Sequence, residues 1–339
     1  MIQNTSSIIN IKNKSDVFLN QIKKDLLINK IQIDLLDIIY NGNKGNVYKF
    51  NLNHKNNLKT YVIKCIKEKN KINKSKKKFF PLEIVIHQRL KHNNIIPLLG
   101  YYNFPSYSSL ILEYHKFGDL FNFQTFVVKK RILSETFLCY LASQISDALY
   151  YIHKNKIIHM DIKHKNILIN DYLQVKLIDF SISLDYKDNK KFIQLPRIGT
   201  FGYMSPEVLN EEKIEIKDAS KVDVFSFGVL LYFSAFGTLP YGIGNINDKD
   251  YDKVLENIKN EELKFPEELK ISNMFKSFLK KCLDKNIEKR YDIYNLINDD
   301  WIKGSNIIKE YKDNLCNTNI FLIDLISDNI LNFNRYIEN

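Results

Sequence analysis

The run Lys221 to Phe236 constrains the fold of this chain most, because it is apolar nearly all round at helical length. A helix without a polar face belongs in the middle of a sizeable core. A second helix fits Ser134 to Lys154, where Phe137, Leu138, Leu141, Ile145, Ala148, Leu149 and Ile152 fall on one face. Upstream the pattern differs. The runs Ile31 to Tyr40, Asn46 to Leu52 and Lys59 to Ile66 are β-rich and parted by Gly/Asn clusters, as in an antiparallel meander. The expected fold class is α+β, a small β-rich lobe followed by a larger helical lobe. At 339 residues the chain has room for two such lobes with modest extensions.

An apolar share of 45% and a charged share of 26% are those of an ordinary globular protein. The formal charge of +11 raises encounter rates with anions. Lys, Asn and Ile recur throughout the chain, however, and no zinc-finger, helix-turn-helix or RNA-recognition pattern accompanies them, so no specific nucleic acid is expected. Cys65, Cys139, Cys282 and Cys316 lie far apart and read as reduced thiols, the usage of a cytoplasmic or nuclear protein. No apolar run is read as approaching the roughly 20 residues that span a bilayer. Met1-Ile2-Gln3-Asn4 opens neither a signal peptide nor a myristoylation site, so a soluble chain without a transmembrane segment is expected. Oligomeric state is left open. The Lys-rich stretch from Lys64 to Lys78 reads as a solvated loop, with an acidic partner or anionic lipid as the alternative.

The chemistry lies in an ordered series of short motifs. Tyr40-Asn41-Gly42-Asn43-Lys44-Gly45-Asn46-Val47 is a glycine turn whose backbone N–H groups can approach phosphate oxygens. Alone it is no better than a hairpin. Tyr61-Val62-Ile63-Lys64 then places an ammonium on a strand, and Glu83 opens a segment running to Ile95, so the two charges can pair across a strand and a helix. Sharper still is His159-Met160-Asp161-Ile162-Lys163-His164-Lys165-Asn166, followed by Asp179-Phe180-Ser181, Gly199-Thr200 and Ser205-Pro206-Glu207. These supply a carboxylate to receive a hydroxyl proton, an ammonium beside it, and an amide with a second carboxylate. The last two are hard oxygen donors suited to Mg²⁺.

In this order and spacing the motifs closely resemble the eukaryotic protein kinase family, Ser/Thr type, over roughly residues 31 to 303. The resemblance implies a bilobal protein kinase fold with one main helix in the N-lobe. It implies an N-lobe over 31–112, a hinge over 113–118 and a C-lobe over 119–303, between an N-terminal extension over 1–30 and a C-terminal tail over 304–339. Helical stretches are read at Asp16 to Asn29 and around Ile320 to Ile330. It further implies an enzyme that moves the γ-phosphoryl of ATP, with Mg²⁺, onto Ser/Thr hydroxyls of protein substrates. Lys64, positioned by Glu83, would hold phosphates; Asp161 would take the hydroxyl proton; Lys163 would neutralise the transferring group; Asn166 and Asp179 would hold Mg²⁺. Nucleotide contacts are implied for Gly42, Gly45, Val47, Val62, Lys64, Leu112, Glu113, His115, Asp119 and Leu168. Asp223 resembles the acid that braces the catalytic loop, and Glu207 with Arg290 resembles a structural ion pair.

Several positions depart from the family pattern. Tyr40 replaces the first loop glycine, Val62 an alanine, His87 an aliphatic residue and Ser181 a glycine. Met160 stands where many kinases carry an arginine that grips a phosphate, and no Ser or Thr occurs from Leu184 to Gly199. The two absences agree, and imply activity without Ser/Thr phosphorylation of that segment, leaving Tyr186 as its remaining acceptor. Lys165 stands where basic-directed kinases carry an acid, which implies neutral or acidic target sequences. The competing reading is a kinase-like scaffold that binds ATP or partner proteins without turnover.

Overall fold

The computed structural model describes residues 24, 36–42, 45–54, 57–67, 81–103, 107–128, 132–186, 190–245 and 250–313. The expected helix Asp16 to Asn29, apart from Lys24, lies outside these residues, as do the run Ile320 to Ile330, Cys316 and the lysines from Lys69 to Lys78. The chain divides into two compact units, Met1–Gln88 with Pro97–Tyr114, and Arg89–Ile96 with His115–Asn339.

The first unit is built on an antiparallel sheet of β1 (Leu36–Gly42), β2 (Gly45–His54), β3 (Asn57–Lys67), β4 (Leu98–Asn103) and β5 (Tyr107–Glu113), in the order β1-β2-β3-β5-β4. Along β2, Tyr48 and Phe50 are buried while Val47 and Lys49 are half-buried, the two-residue period of a sheet with one packed face. Gly42 pairs with Gly45 across the β1–β2 turn, and Gly45 pairs with Ile66 on β3. A Cβ on Gly45 would overlap the carbonyl oxygen of Cys65, so the strands close here only because that residue is glycine. The helix α1 (Leu82–His87) buries Glu83, Ile84, Ile86 and His87.

In the second unit, Ile96 donates to the Leu177 carbonyl and Leu177 to the Asn94 carbonyl, at 3.1 and 2.8 Å. These bonds join Arg89–Ile96 to this unit. Helix α2 (Glu135–Lys154) starts at Ser134, whose hydroxyl accepts from the Phe137 N–H at 3.2 Å. The short strands β6 (Ile157–Ile158), β7 (Ile167–Ile169), β8 (Val175–Leu177) and β9 (Leu184–Asp185) pair as β6 with β9 and β7 with β8. Strand β10 (Phe192–Gln194), the helix α3 (Pro206–Leu209) and strand β11 (Lys213–Glu215) follow, β10 pairing with β11. Helix α4 (Lys221–Phe236) is buried almost throughout and stops at Gly237, whose φ of 69° supplies the left-handed cap.

The stretch Ile216–Phe236 has the length and composition to cross a membrane, contrary to the sequence reading, with a mean hydropathy of 1.3. It is 83% buried and packs as the centre of this unit. Helices α5 (Tyr251–Asn260), α6 (Asn273–Cys282), α7 (Ile293–Ile297), α8 (Asp300–Lys303) and α9 (Ser305–Asp313) complete the described part. Glu135 of α2 ties the start of α6 to α8: one carboxylate oxygen accepts from the Trp301 indole at 2.9 Å, the other from the Ser272 N–H at 2.8 Å. Cys65, Cys139 and Cys282 are buried free thiols.

Candidate active site

The segment His159–Asn166 leaves β6 with Met160 at φ 70°, a conformation that costs a side-chain-bearing residue energy unless its surroundings hold it. Asp223, on the first turn of α4, does the holding. One of its carboxylate oxygens accepts from the Met160 N–H at 2.9 Å and the other from the His159 N–H at 2.8 Å. The His153 ring also contacts that second oxygen at 2.8 Å. Because Asp223 is nearly fully buried in α4, the segment is pinned to the core helix of its unit.

Asp161 is the hub of the segment. Its Oδ1 accepts from the Thr200 hydroxyl at 2.6 Å, and its Oδ2 lies 2.8 Å from the Lys163 ammonium. Lys163 also donates to Thr200 Oγ1 at 2.6 Å. Asn166 Nδ2 bonds both the Asp161 carbonyl at 2.8 Å and Oδ2 at 3.0 Å. The carboxylate is thus oriented by an ammonium, a hydroxyl and an amide, an arrangement suited to receiving a proton from an incoming hydroxyl.

The β7–β8 ladder sets Asn166 beside Asp179. Asn166 precedes β7, Ile178 follows β8, and the Ile178 N–H donates to the Asn166 carbonyl at 3.0 Å. His159 Nε2 meets the Ile178 carbonyl at 2.9 Å, and its ring packs edge-on against the buried Phe180 at 5.1 Å. Asp179 itself takes φ 69°. Ser181 is not among the positive-φ residues, so serine in place of glycine imposes no backbone strain in this conformation, and its N–H faces Asp179 Oδ1 at 3.4 Å. With its Nδ2 spent on Asp161, Asn166 has its amide oxygen left as a donor alongside the Asp179 carboxylate. One amide and one carboxylate fit Mg²⁺, which keeps several of its own waters. Among the described residues no group of three His, Cys, Asp or Glu forms a metal cage.

The other predicted residues fall into two sets. In the first unit, Lys64 meets Glu83 at 2.7 Å, with the carboxylate almost wholly buried and the ammonium partly open. Val47 is registered opposite Lys64, and Val62 opposite Leu112, with Glu113 next along β5. Tyr40 lies on β1, and its ring would be 2.5 Å from a Cβ placed on Gly42. In the second unit, Asp119 bridges to Leu168 and caps the turn that follows it, accepting from the Asn122 N–H at 2.8 Å. Burial raises the Asp119 carboxyl above its ordinary range, against the pull of the Asn122 N–H and of Lys165. Burial, with Lys176 nearby, holds the His115 imidazole down at about 4.

Two outcomes were not foreseen. Tyr186 is buried, its N–H bonded to the Lys156 carbonyl at 3.0 Å and its hydroxyl 3.4 Å from the His153 carbonyl, so it is not offered to solvent as an acceptor. Thr200 and His164 carry no role in the sequence reading. His164 could have been found, being a polar residue inside the segment that holds Asp161, whereas the fold alone brings Thr200 to Asp161.

The family model described as protein kinase domain matches residues 34–302. The chain belongs to this family. Members of the protein kinase family generally use ATP with Mg²⁺. Myosin light chain kinase A of Dictyostelium discoideum is 30% identical over 251 residues, 73% of this chain and 80% of that protein. Calcium-dependent protein kinase 4 of Plasmodium falciparum (isolate 3D7) is 29% identical over 279 residues, 80% of this chain. Serine/threonine-protein kinase tousled-like 1 of Homo sapiens is 30% identical over 233 residues, 65% of this chain and 30% of that protein. The chain matches 49% of the length of the Plasmodium protein.

Proposed function

We propose that this chain is a protein serine/threonine kinase that transfers the γ-phosphoryl group of ATP to protein hydroxyls. The observation that carries the reading is the Asp161 carboxylate, held at once by Lys163, Thr200 and Asn166. Asp161 receives the proton of the substrate hydroxyl, and Lys163 neutralises charge on the group in transfer. Lys64, fixed by Glu83, binds phosphate oxygens, and Gly42 and Gly45 let backbone N–H groups approach them. Nucleotide contacts are assigned to Val47, Val62, Leu112 and the backbone of Glu113 in the first unit, and to Leu168, the backbone of His115 and Asp119 in the second. Asn166 and Asp179 would hold Mg²⁺, which supplies charge neutralisation at the phosphates when bound. Electrostatic positioning of this kind is the main source of catalysis in phosphoryl transfer. Ser/Thr kinase names among the relatives support the choice of hydroxyl.

The exposed Lys165 adds a preference for neutral or acidic residues around the target. A peptide array in which arginine upstream of the target is favoured would refute that preference.

The test is Mg²⁺-dependent transfer from ATP to the protein itself and to a panel of acidic and basic proteins, followed by phosphosite mapping. Asp161→Asn is expected to lower kcat by about 10²–10⁴-fold, the scale of a lost general base, and Lys64→Met to abolish transfer. Unchanged turnover in Asp161→Asn would remove its assigned role. A folded wild-type protein without transfer would put the scaffold reading first.

A further inference from the structure

His164 lies inside the catalytic segment, three residues after Asp161, yet spends both ring nitrogens away from it. Its Nδ1 is 2.9 Å from the Tyr203 hydroxyl and its Nε2 is 2.7 Å from the Ser234 hydroxyl. The ring is buried, with Phe233 edge-on at 5.0 Å and Tyr203 at 6.1 Å. In a neutral imidazole one nitrogen donates and the other accepts, and a hydroxyl can answer either, so both contacts are satisfied in either tautomer.

The three partners come from separate stretches of the chain. Ser234 is on the core helix α4, and Tyr203 ends a turn whose first residue is Thr200, the Tyr203 N–H donating to the Thr200 carbonyl at 3.1 Å. Helix α4 grips the same turn a second time, through Ser226 Oγ donating to the Tyr203 carbonyl at 2.7 Å. Thr200 in turn donates to Asp161 at 2.6 Å. The contacts therefore close a circuit, from Asp161 to Thr200 by a hydrogen bond, to Tyr203 through the turn, to His164 by a second bond, and back to Asp161 along the chain. An apolar ring at His164 would fill the space but leave the fully buried Ser234 hydroxyl and the Tyr203 hydroxyl each short of a partner.

We propose that His164 is a positioning residue for phosphoryl transfer, fixing through Tyr203 the turn that carries Thr200 and so the orientation of the Asp161 carboxylate. The inference rests on the kinase reading above for its catalytic consequence. A geometric error of about 1 Å at a reacting group is enough to cost as much as 10²-fold in rate.

The experiment compares His164→Leu, His164→Asn, Tyr203→Phe and the double variant His164→Leu/Tyr203→Phe in the full chain. It reads kcat, KM for ATP, the thermal midpoint and amide hydrogen exchange over residues 200–203. Tyr203→Phe and His164→Leu are expected to lower kcat by about tenfold or more with KM for ATP within about twofold. His164→Asn, which keeps a polar group on the side of Tyr203, should recover part of the loss, and the double variant should be no worse than His164→Leu alone. Wild-type kcat in Tyr203→Phe, or losses that multiply in the double variant, would overturn the proposal. So would a kcat that merely follows the thermal midpoint across the set. Should His164→Leu fail to fold, Tyr203→Phe and His164→Asn decide. A wild-type chain without transfer refutes the kinase reading instead, and the circuit is then judged by exchange alone: faster exchange at 200–203 in Tyr203→Phe supports it, and unchanged exchange overturns it.

Discussion

The segment His159–Asn166 and the glycine turn, both proposed to handle phosphate, are held in opposite ways. The segment His159–Asn166 is tied by side chains from distant parts of the chain: Asp223, Thr200 and, around His164, Tyr203 and Ser234. At the β1–β2 turn the determinant is room: Gly45 permits a backbone approach to Cys65 that no other residue allows. A carboxylate that must point at one hydroxyl needs buried polar partners, because rotamer freedom would otherwise misdirect it. A turn that presents N–H groups needs only the space to bring them close.

The largest expected effect breaks the first half of that contrast. Asp223→Ala leaves the His159 and Met160 N–H groups and the buried His153 ring without their shared acceptor. We expect a loss of about 3–5 kcal/mol in chemical denaturation, the scale for removing one partner of a buried charged cluster. Asp223→Asn retains an acceptor and should lose clearly less. Equal losses for the two would mean that packing, rather than hydrogen bonding, holds the segment.

The second half is broken by Gly45→Ala, in which the new Cβ collides with backbone and β2 must separate from β3. Overpacking of this kind costs about 1–3 kcal/mol, and weaker ATP binding should accompany it. Gly42→Ala is the control, since the nearest obstacle at 2.5 Å is the ring of Tyr40, an exposed side chain that can swing aside. Nucleotide affinity should fall less for Gly42→Ala than for Gly45→Ala, and Tyr40→Ala should erase the difference between Gly42→Ala and its parent. Equal losses at the two glycines would show that neither depends on local room.

The same contrast explains what was legible in the sequence. The Lys221–Phe236 helix, the meander of the first three strands and the order of the charged motif residues were readable because periodicity and spacing are local properties. The Lys64–Glu83 pair followed from that order and is made at 2.7 Å. Residues that support the motifs from a distance were not readable: nothing around Ser234 or Tyr203 announces that their hydroxyls meet on His164. The bonds that Asn94 and Ile96 make with Leu177, far along the chain, were not readable for a related reason. The burial of Tyr186 likewise comes from partners at His153 and Lys156 that spacing does not reveal.

A smaller effect comes from His115, at the start of the second unit. Its imidazole ionises near 6.5 when unfolded and is held down at about 4 when folded, chiefly by burial. The unfolded chain therefore binds the extra proton first, so stability is complete above pH 6.5 and falls as the pH drops toward 4. The slope from this group is at most about 1.4 kcal/mol per pH unit. Denaturation midpoints measured between pH 7 and pH 4.5 should fall less steeply in His115→Leu than in the parent. Identical slopes would place the acid sensitivity elsewhere.

The smallest effect concerns the stretch between Asp179 and Glu207, which combines both modes of support. Asp185 pairs with Arg89, and β9 pairs with β6, while β10 is bonded through its backbone to β11. That ladder continues on either side, through Ile216 N–H to the Lys191 carbonyl and Leu195 N–H to the Glu212 carbonyl, both at 3.0 Å. Met160, beside Asp161, is buried and offers no cation for a phosphate to engage. A segment held by strand pairing does not need a phosphoryl group to order it, so phosphatase treatment is expected to leave turnover unchanged. Ile216→Pro isolates the ladder. Glu215 has φ −68° and ψ 140°, the conformation favoured before proline, and Ile216 opens a helical turn where a missing N–H is tolerated. The variant deletes one bond to Lys191, worth about 0.5–1.5 kcal/mol, and should speed amide exchange at Phe192–Leu195 with little change in global stability. Activity lost on dephosphorylation, with the phosphate mapped between Asp179 and Glu207, would show that charge rather than strand pairing sets this segment.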